Sequence, residues 1–321
     1  MGCAPLGELF VRVDDAAAQA TLQAAWDGGV RYFDTAPEYG FGLSEHRVGQ
    51  FLRQRPRSEF VLSTKVGRLL QAPPDLSKYR KAFWIGGLDF EFRFDYGYDA
   101  IMRSVEDSYQ RLGLNRVDVL LIHDLDVFTH GSQVQVDAYL NQLLTGGWRA
   151  LSELRSSGVV GAIGAGLNDA GMVLRLLETT DLDFILLAMC YTLLEHDTLD
   201  VEIPRCAEKG VGLVIGGVFN SGITATGPVP GAYYNYAPAT AGVIQRVNMI
   251  EAVCRRHGVA LSAAALKFPL GHPSVAAVIP GALSAAQVAS NLAHFQQAIP
   301  ADFWTELKSL GLIRPDAPTP V

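Results

Sequence analysis

Seven short apolar runs, separated by longer amphipathic stretches, constrain the fold of this chain more than any other feature. The runs cover residues 31–34, 60–65, 117–122, 159–165, 184–189, 210–217 and 274–280. Each is continuous rather than alternating, which is the pattern of a parallel strand buried on both faces. Helical periodicity fills the gaps at 16–27, 44–53, 98–112, 136–156, near 169–178, near 198–208, at 240–270 with a break at Gly258, and from Ser284 onward. The helix at 44–53 is expected to start from Ser44 as N-cap. Strand and helix in strict alternation predict a right-handed βα series, and eight such units close a (β/α)8 barrel. The eighth strand would come from Met1–Leu6, a stretch too short for a full strand, so that either this strand is truncated or the chain starts late. A barrel commonly uses this chain length as one domain, so residues 1–321 are expected to form a single domain with long loops at the C-terminal face of the strands.

Composition bears on the partners. A formal net charge of -7, with scattered Lys and Arg, disfavours the basic surface that a nucleic-acid partner requires. Cys3, Cys190, Cys206 and Cys254 have no CxxC spacing and sit in or beside apolar runs, as buried free thiols do. No stretch approaches the apolar length of a membrane span, and the opening MGCAPLGELF has no secretory pattern. A cytoplasmic protein acting on a small molecule is the expectation.

Three of the apolar runs end in proton-moving residues: YFDTAPEYG brings Asp34 and Tyr39, FVLSTK ends in Lys65, and VDVLLIH ends in His123. Active sites of parallel barrels are built at the C-terminal ends of the strands. A free phenol has a pKa near 10, so only about one in a thousand is ionised at neutral pH, and a base of that kind needs tuning. The Lys65 ammonium would favour the phenolate of Tyr39, Asp34 would hold Lys65, and His123 would hydrogen-bond the substrate oxygen. Without a nucleophilic Ser or Cys beside it, such a Tyr exchanges a proton at an alcohol or carbonyl oxygen. Since no flavin or metal motif is evident, the hydride partner is expected to be a nicotinamide.

The segments FDTAPEYGFGLSEHRVG, LSTKVG, YDAIMRSVEDSYQRLGLNRVDVLLIHD and VIPGALSAAQVASN resemble, in that order, the aldo-keto reductase family, in the branch of sugar and pyridoxal dehydrogenases. The resemblance implies a catalytic tetrad of Asp34, Tyr39, Lys65 and His123, with Tyr39 as general acid or base. A cofactor phosphate is expected where VIPG leads into a helix, at Gly281, Ser284, Gln287 and Asn291. Family members that choose NADP place basic side chains there. None occurs between Gly281 and Asn291, so NAD is expected, with NADP as the lesser possibility. By the same resemblance Asn168 falls near the nicotinamide carboxamide, and Phe219 near the position of a stacking ring.

The long connection from Val66 to Tyr98 is expected to wall the pocket, with Trp84, Asp89 and Tyr96 as substrate contacts. That at 218–240 reads either as a surface excursion or as a lid over the cofactor. The expected reaction is oxidation of an aldose of the L-fucose, L-galactose or D-arabinose type at C1 to the lactone. Pyridoxal oxidation or general carbonyl reduction is the alternative. Two readings of a different class compete: a metal-dependent hydrolase using His123, Asp124 and Asp126, and a non-catalytic nucleotide-binding barrel.

Overall fold

The computed structural model describes residues 1–75 and 83–320. Its contacts group the chain into two compact units, Met1–Leu167 with Glu178–Phe184 and Gly281–Ala289, and Asn168–Leu177 with Ile185–Pro280 and Ser290–Val321.

In the first unit, β1 (Tyr32–Asp34), β2 (Val61–Val66), β5 (Val119–His123) and β6 (Ala162–Leu167) lie side by side in that order, all parallel. Every residue of β5 is buried, as are Leu62–Val66 of β2, which accounts for the unbroken apolar runs. The helix Tyr98–Leu112 buries Ile101, Ser104, Val105, Ser108 and Leu112, one stripe at helical spacing, and ends at Gly113 in the left-handed region. Gly2 forms parallel bridges to both Asp34 and Gly281, so the expected truncated strand is a single paired residue.

The second unit holds most of β7 (Phe184–Ala188), then β8 (Gly212–Gly216) and β11 (Val275–Val278), of which the last two pair in parallel. The helices Ala241–His257 and Leu261–Lys267 are separated at Gly258, which has a φ of 65°, where the sequence predicts the break. No described helix is long and apolar enough to cross a membrane.

Local structure departs from the sequence reading in four places. The connection after β2 contains an antiparallel pair, β3 (Arg68–Gln71) with β4 (Glu91–Phe94). The 218–240 stretch likewise carries a short pair, β9 (Tyr233–Tyr234) with β10 (Ala237–Pro238). The helix predicted at 136–156 starts earlier, at Gln133 on a Ser132 cap, and is interrupted by a π-type turn at Leu143–Gly147. There a β-carbon on Gly147 would collide with the Tyr96 carbonyl, so the turn brings its backbone close to that segment. Ser44 is not the N-cap of its helix. That place belongs to Gly42, while Ser44 sits one residue inside Leu43–Leu52 and donates to the Cys3 carbonyl at 2.8 Å. A buried long-range acceptor outcompetes the local cap.

Candidate active site

Strand register assembles the site inside the first unit. Asp34 pairs with Ser63 across β1 and β2, and side chains two apart on a strand share a face, so Ser63 and Lys65 both reach the same carboxylate. Ser63 donates its hydroxyl to Asp34 Oδ1 at 2.6 Å, and the Lys65 ammonium donates to Oδ2 at 2.7 Å and to the Thr35 carbonyl at 2.9 Å. On the next strand Leu121 pairs with Lys65, which places His123 on that same face. Gly166 of β6 borders the lysine stem, where a β-carbon would make ordinary contact at 3.4 Å from Lys65 Cε. The ion pair is sealed, with the side chains of Lys65 and Asp34 only 2% and 3% exposed.

Tyr39 follows β1 by a tight turn and lies over this pair. Lys65 Nζ stands 4.6 Å from its ring centroid, and the His123 ring meets it edge-on at 5.8 Å. Trp84 flanks the other side at 5.8 Å, itself buried against Phe41 and Leu70. The turn depends on close backbone packing: Gly40 has a φ of 63°, and a β-carbon on Gly7 would lie 2.5 Å from Gly40 N and from the Tyr39 carbonyl carbon. Gly7→Ala is therefore expected to push Tyr39 off the lysine, lowering kcat at least tenfold with a smaller change in KM. Steady-state kinetics of the variant checks this.

His123 is buried, and burial together with the Arg68 and Lys65 cations holds its pKa well below the usual imidazole range. The ring is neutral at pH 7. Its Nε2 lies 3.4 Å from Asp124 Oδ2 and 3.9 Å from Glu38 Oε2, while Nδ1 is buried without a partner. A proton on Nε2 faces two carboxylates and a proton on Nδ1 faces nothing, so Nε2 is the donor. Tyr96 fixes this strand end from below. Fully buried, it donates its hydroxyl to the His123 carbonyl at 2.7 Å, and the same oxygen lies 3.2 Å from His130 Nε2.

A second charged group stands beside His123. The buried Arg68 guanidinium donates to Asp124 Oδ2 at 2.7 Å and also contacts the Glu38 carboxylate. Burial pushes Asp124 up to about 6, with Arg68 pulling the other way. Glu38, His123 and Asp124 are close enough to share a metal ion, yet the guanidinium already compensates both carboxylates. Asp126 does not join them; it caps the short helix Val127–His130 by accepting from Thr129 N at 2.9 Å. The HDxD cluster thus resolves into one arginine partner and one helix cap.

The remaining predicted residues lie as follows. Asp89 is exposed. Gly281 pairs with Gly2, and Ser284 caps the helix Ala285–Gln296 by accepting from Gln287 N at 3.2 Å, with Gln287 Oε1 accepting from Leu283 N at 2.7 Å. Asn291 is in the second turn of that helix, half-buried. Asn168 and Phe219 belong to the second unit, each half-buried, at the residue after β6 and three residues after β8. Sequence reasoning missed Glu38, Arg68 and Ser63. Ser63, two residues before Lys65, was open to a period-two argument; a buried Arg in a long connection gives no such signal.

The chain as a whole is similar to known proteins. A pyridoxal 4-dehydrogenase of Microbacterium luteolum is 42% identical over 98% of this chain and 93% of its own length. A D-threo-aldose 1-dehydrogenase of a Pseudomonas species is 39% identical over 99% and 94%. Among solved structures, an aldo-keto reductase from Bacillus halodurans in its holo form superposes with a TM-score of 0.74 at 23% identity, covering 97% of this chain and 90% of that one. Its likeness supports the (β/α)8 barrel as the fold. The Aldo/keto reductase family description matches residues 1–311, and this chain therefore belongs to the aldo/keto reductase family, as an NAD(P)-dependent oxidoreductase acting on CH–OH groups.

Proposed function

We propose that the protein oxidises an aldose at its anomeric carbon to the lactone with NAD, using Tyr39 as general base. The observation that carries this reading is the sealed Asp34–Lys65 pair beneath Tyr39, with Nζ 4.6 Å from the ring centroid. Tyr39 must be ionised to take the proton of the C1 hydroxyl, and a cation held rigidly nearby favours that phenolate without reorganising. Asp34 and the Thr35 carbonyl keep that cation in place. His123, neutral and donating from Nε2, orients the reacting oxygen. Trp84 supplies an apolar wall beside Tyr39, which suits the face of a sugar ring. Tyr96 acts as a positioning residue for His123, and Asp89 is left as a contact made from the exposed part of the loop.

A bound nicotinamide supplies the hydride acceptor. The donor set proposed for it suits a dinucleotide: backbone N–H groups at the start of Ala285–Gln296, next to Gly281, favour a phosphate. Ser284, Gln287 and Asn291 are uncharged, and no Lys or Arg occurs from 281 to 291, which favours NAD over a cofactor carrying an extra 2'-phosphate.

Pyridoxal is the second reading, supported by the 42% identical relative. The two substrates share chemistry, because pyridoxal closes through its own hydroxymethyl group into a cyclic hemiacetal, the form in which an aldose is oxidised. A panel of L-fucose, L-galactose, D-arabinose and pyridoxal, each with NAD and NADP, tests the proposal. Turnover of at least one aldose with kcat/KM higher for NAD is expected; no aldose turnover, or a tenfold preference for NADP, contradicts it.

A further inference from the structure

The Glu38–Arg68–Asp124 group is not needed for the proton transfer described above, yet it borders His123. Its three members are unequally exposed: the Arg68 side chain is 3% exposed, Asp124 11% and Glu38 19%. Glu38 is thus the member most open to a ligand, and it immediately precedes Tyr39 in the chain. Arg68 is also boxed in by aromatic rings, with Cζ 5.1 Å from the Phe92 ring centroid and 5.2 Å from that of Phe94. A guanidinium so confined fixes the carboxylate it touches.

We propose that Glu38, held by Arg68, is a specificity-determining residue that accepts a hydrogen bond from a hydroxyl on the carbon next to the reacting one. This rests on the reading of Tyr39 and His123 as the groups that meet the reacting oxygen. The spacing supports it. Oxygens on adjacent carbons stand about 2.8 Å apart, as do the partners in a hydrogen bond, so His123 Nε2 to one oxygen and the other oxygen to Glu38 close a quadrilateral. The 3.9 Å between Nε2 and Glu38 Oε2 is a fitting fourth side. Two carboxylates against one guanidinium leave the group net negative, so a neutral hydroxyl is accepted there and a carboxylate or phosphate is repelled. α-Hydroxy carbonyl compounds and the hemiacetals derived from them are thereby favoured, aldoses among them, over pyridoxal, whose carbon next to the aldehyde carries no hydroxyl.

Reduction of lactaldehyde and propanal, which differ only in that hydroxyl, reads the contribution of Glu38 whatever the natural substrate proves to be. The whole protein is assayed with reduced cofactor, and failure of every aldose in the oxidation panel leaves the comparison intact. Native protein is expected to favour lactaldehyde over propanal in kcat/KM by roughly tenfold to a hundredfold, the worth of a hydrogen bond to a charged group. Glu38→Ala should reduce that ratio at least tenfold, with the greater part of the loss falling on lactaldehyde. Glu38→Gln, which keeps the side-chain shape, reads the same ratio if the alanine variant does not fold. A ratio unchanged by either substitution, or an equal loss for both aldehydes, would overturn the proposal.

Discussion

Tyr39→Phe is expected to lower kcat by roughly 10²- to 10⁴-fold, the usual contribution of a positioned acid–base group, with little change in cofactor affinity or stability. The ring that contacts Lys65, His123 and Trp84 survives the substitution, so packing is retained and only the hydroxyl is lost. Single-turnover kinetics separates hydride transfer from product release, and cofactor titration by fluorescence checks binding. Retention of most of the rate would mean that another group moves the proton. His123 is a poor substitute, because burial and the neighbouring Arg68 and Lys65 keep it neutral and its Nε2 already carries a proton.

Lys65→Met is expected to act on both folding and rate. Lys65 and Asp34 are almost fully enclosed, and removing one member of a buried pair leaves the other charge uncompensated, at a cost of about 3–5 kcal/mol. Ser63 remains as a donor to Asp34 Oδ1, which places the effect toward the lower end. Turnover should fall by at least a hundredfold as well, since the cation that offsets charge on Tyr39 is gone. Urea unfolding gives the first quantity and steady-state kinetics the second. A variant as stable as the native protein would show that the pair contributes nothing net to the fold.

Much of the core was legible in the sequence because fully buried parallel strands are recorded as unbroken apolar runs. The runs at 60–65, 117–122, 184–189 and 210–217 all became strands within a few residues of their predicted limits. The convergence of Asp34, Lys65 and His123 was legible for the same reason: each lies at or next to the C-terminal end of a strand, where topology forces neighbours together. Tyr39 needed the turn geometry supplied by Gly7 and Gly40, which only the structure shows.

What escaped the sequence depends on long-range partners. Tyr96 looked like a pocket aromatic, yet its hydroxyl is committed to the His123 carbonyl and it lies wholly inside. Ser44 looked like a helix cap, yet Cys3 and Thr35 engage it from distant parts of the chain. The β3–β4 pair was hidden in a stretch whose aromatics, Phe92 and Phe94 among them, suggested a loop wall but flank the Arg68 guanidinium. The helical stretch read from Ser284 onward is in fact two helices, Ala285–Gln296 and Ala301–Ser309, with Pro300 as the N-cap of the second.

The pH dependence of kcat/KM, measured side by side for the native protein and for Lys65→Met, tests the partnership of phenol and ammonium most directly. If Lys65 stabilises the ionised Tyr39, the ionisation that switches on alcohol oxidation moves to higher pH in the variant, and the activity lost at neutral pH is partly regained in alkaline solution. An ionisation at the same pH in both proteins, with the variant slower by a constant factor throughout, would contradict the account.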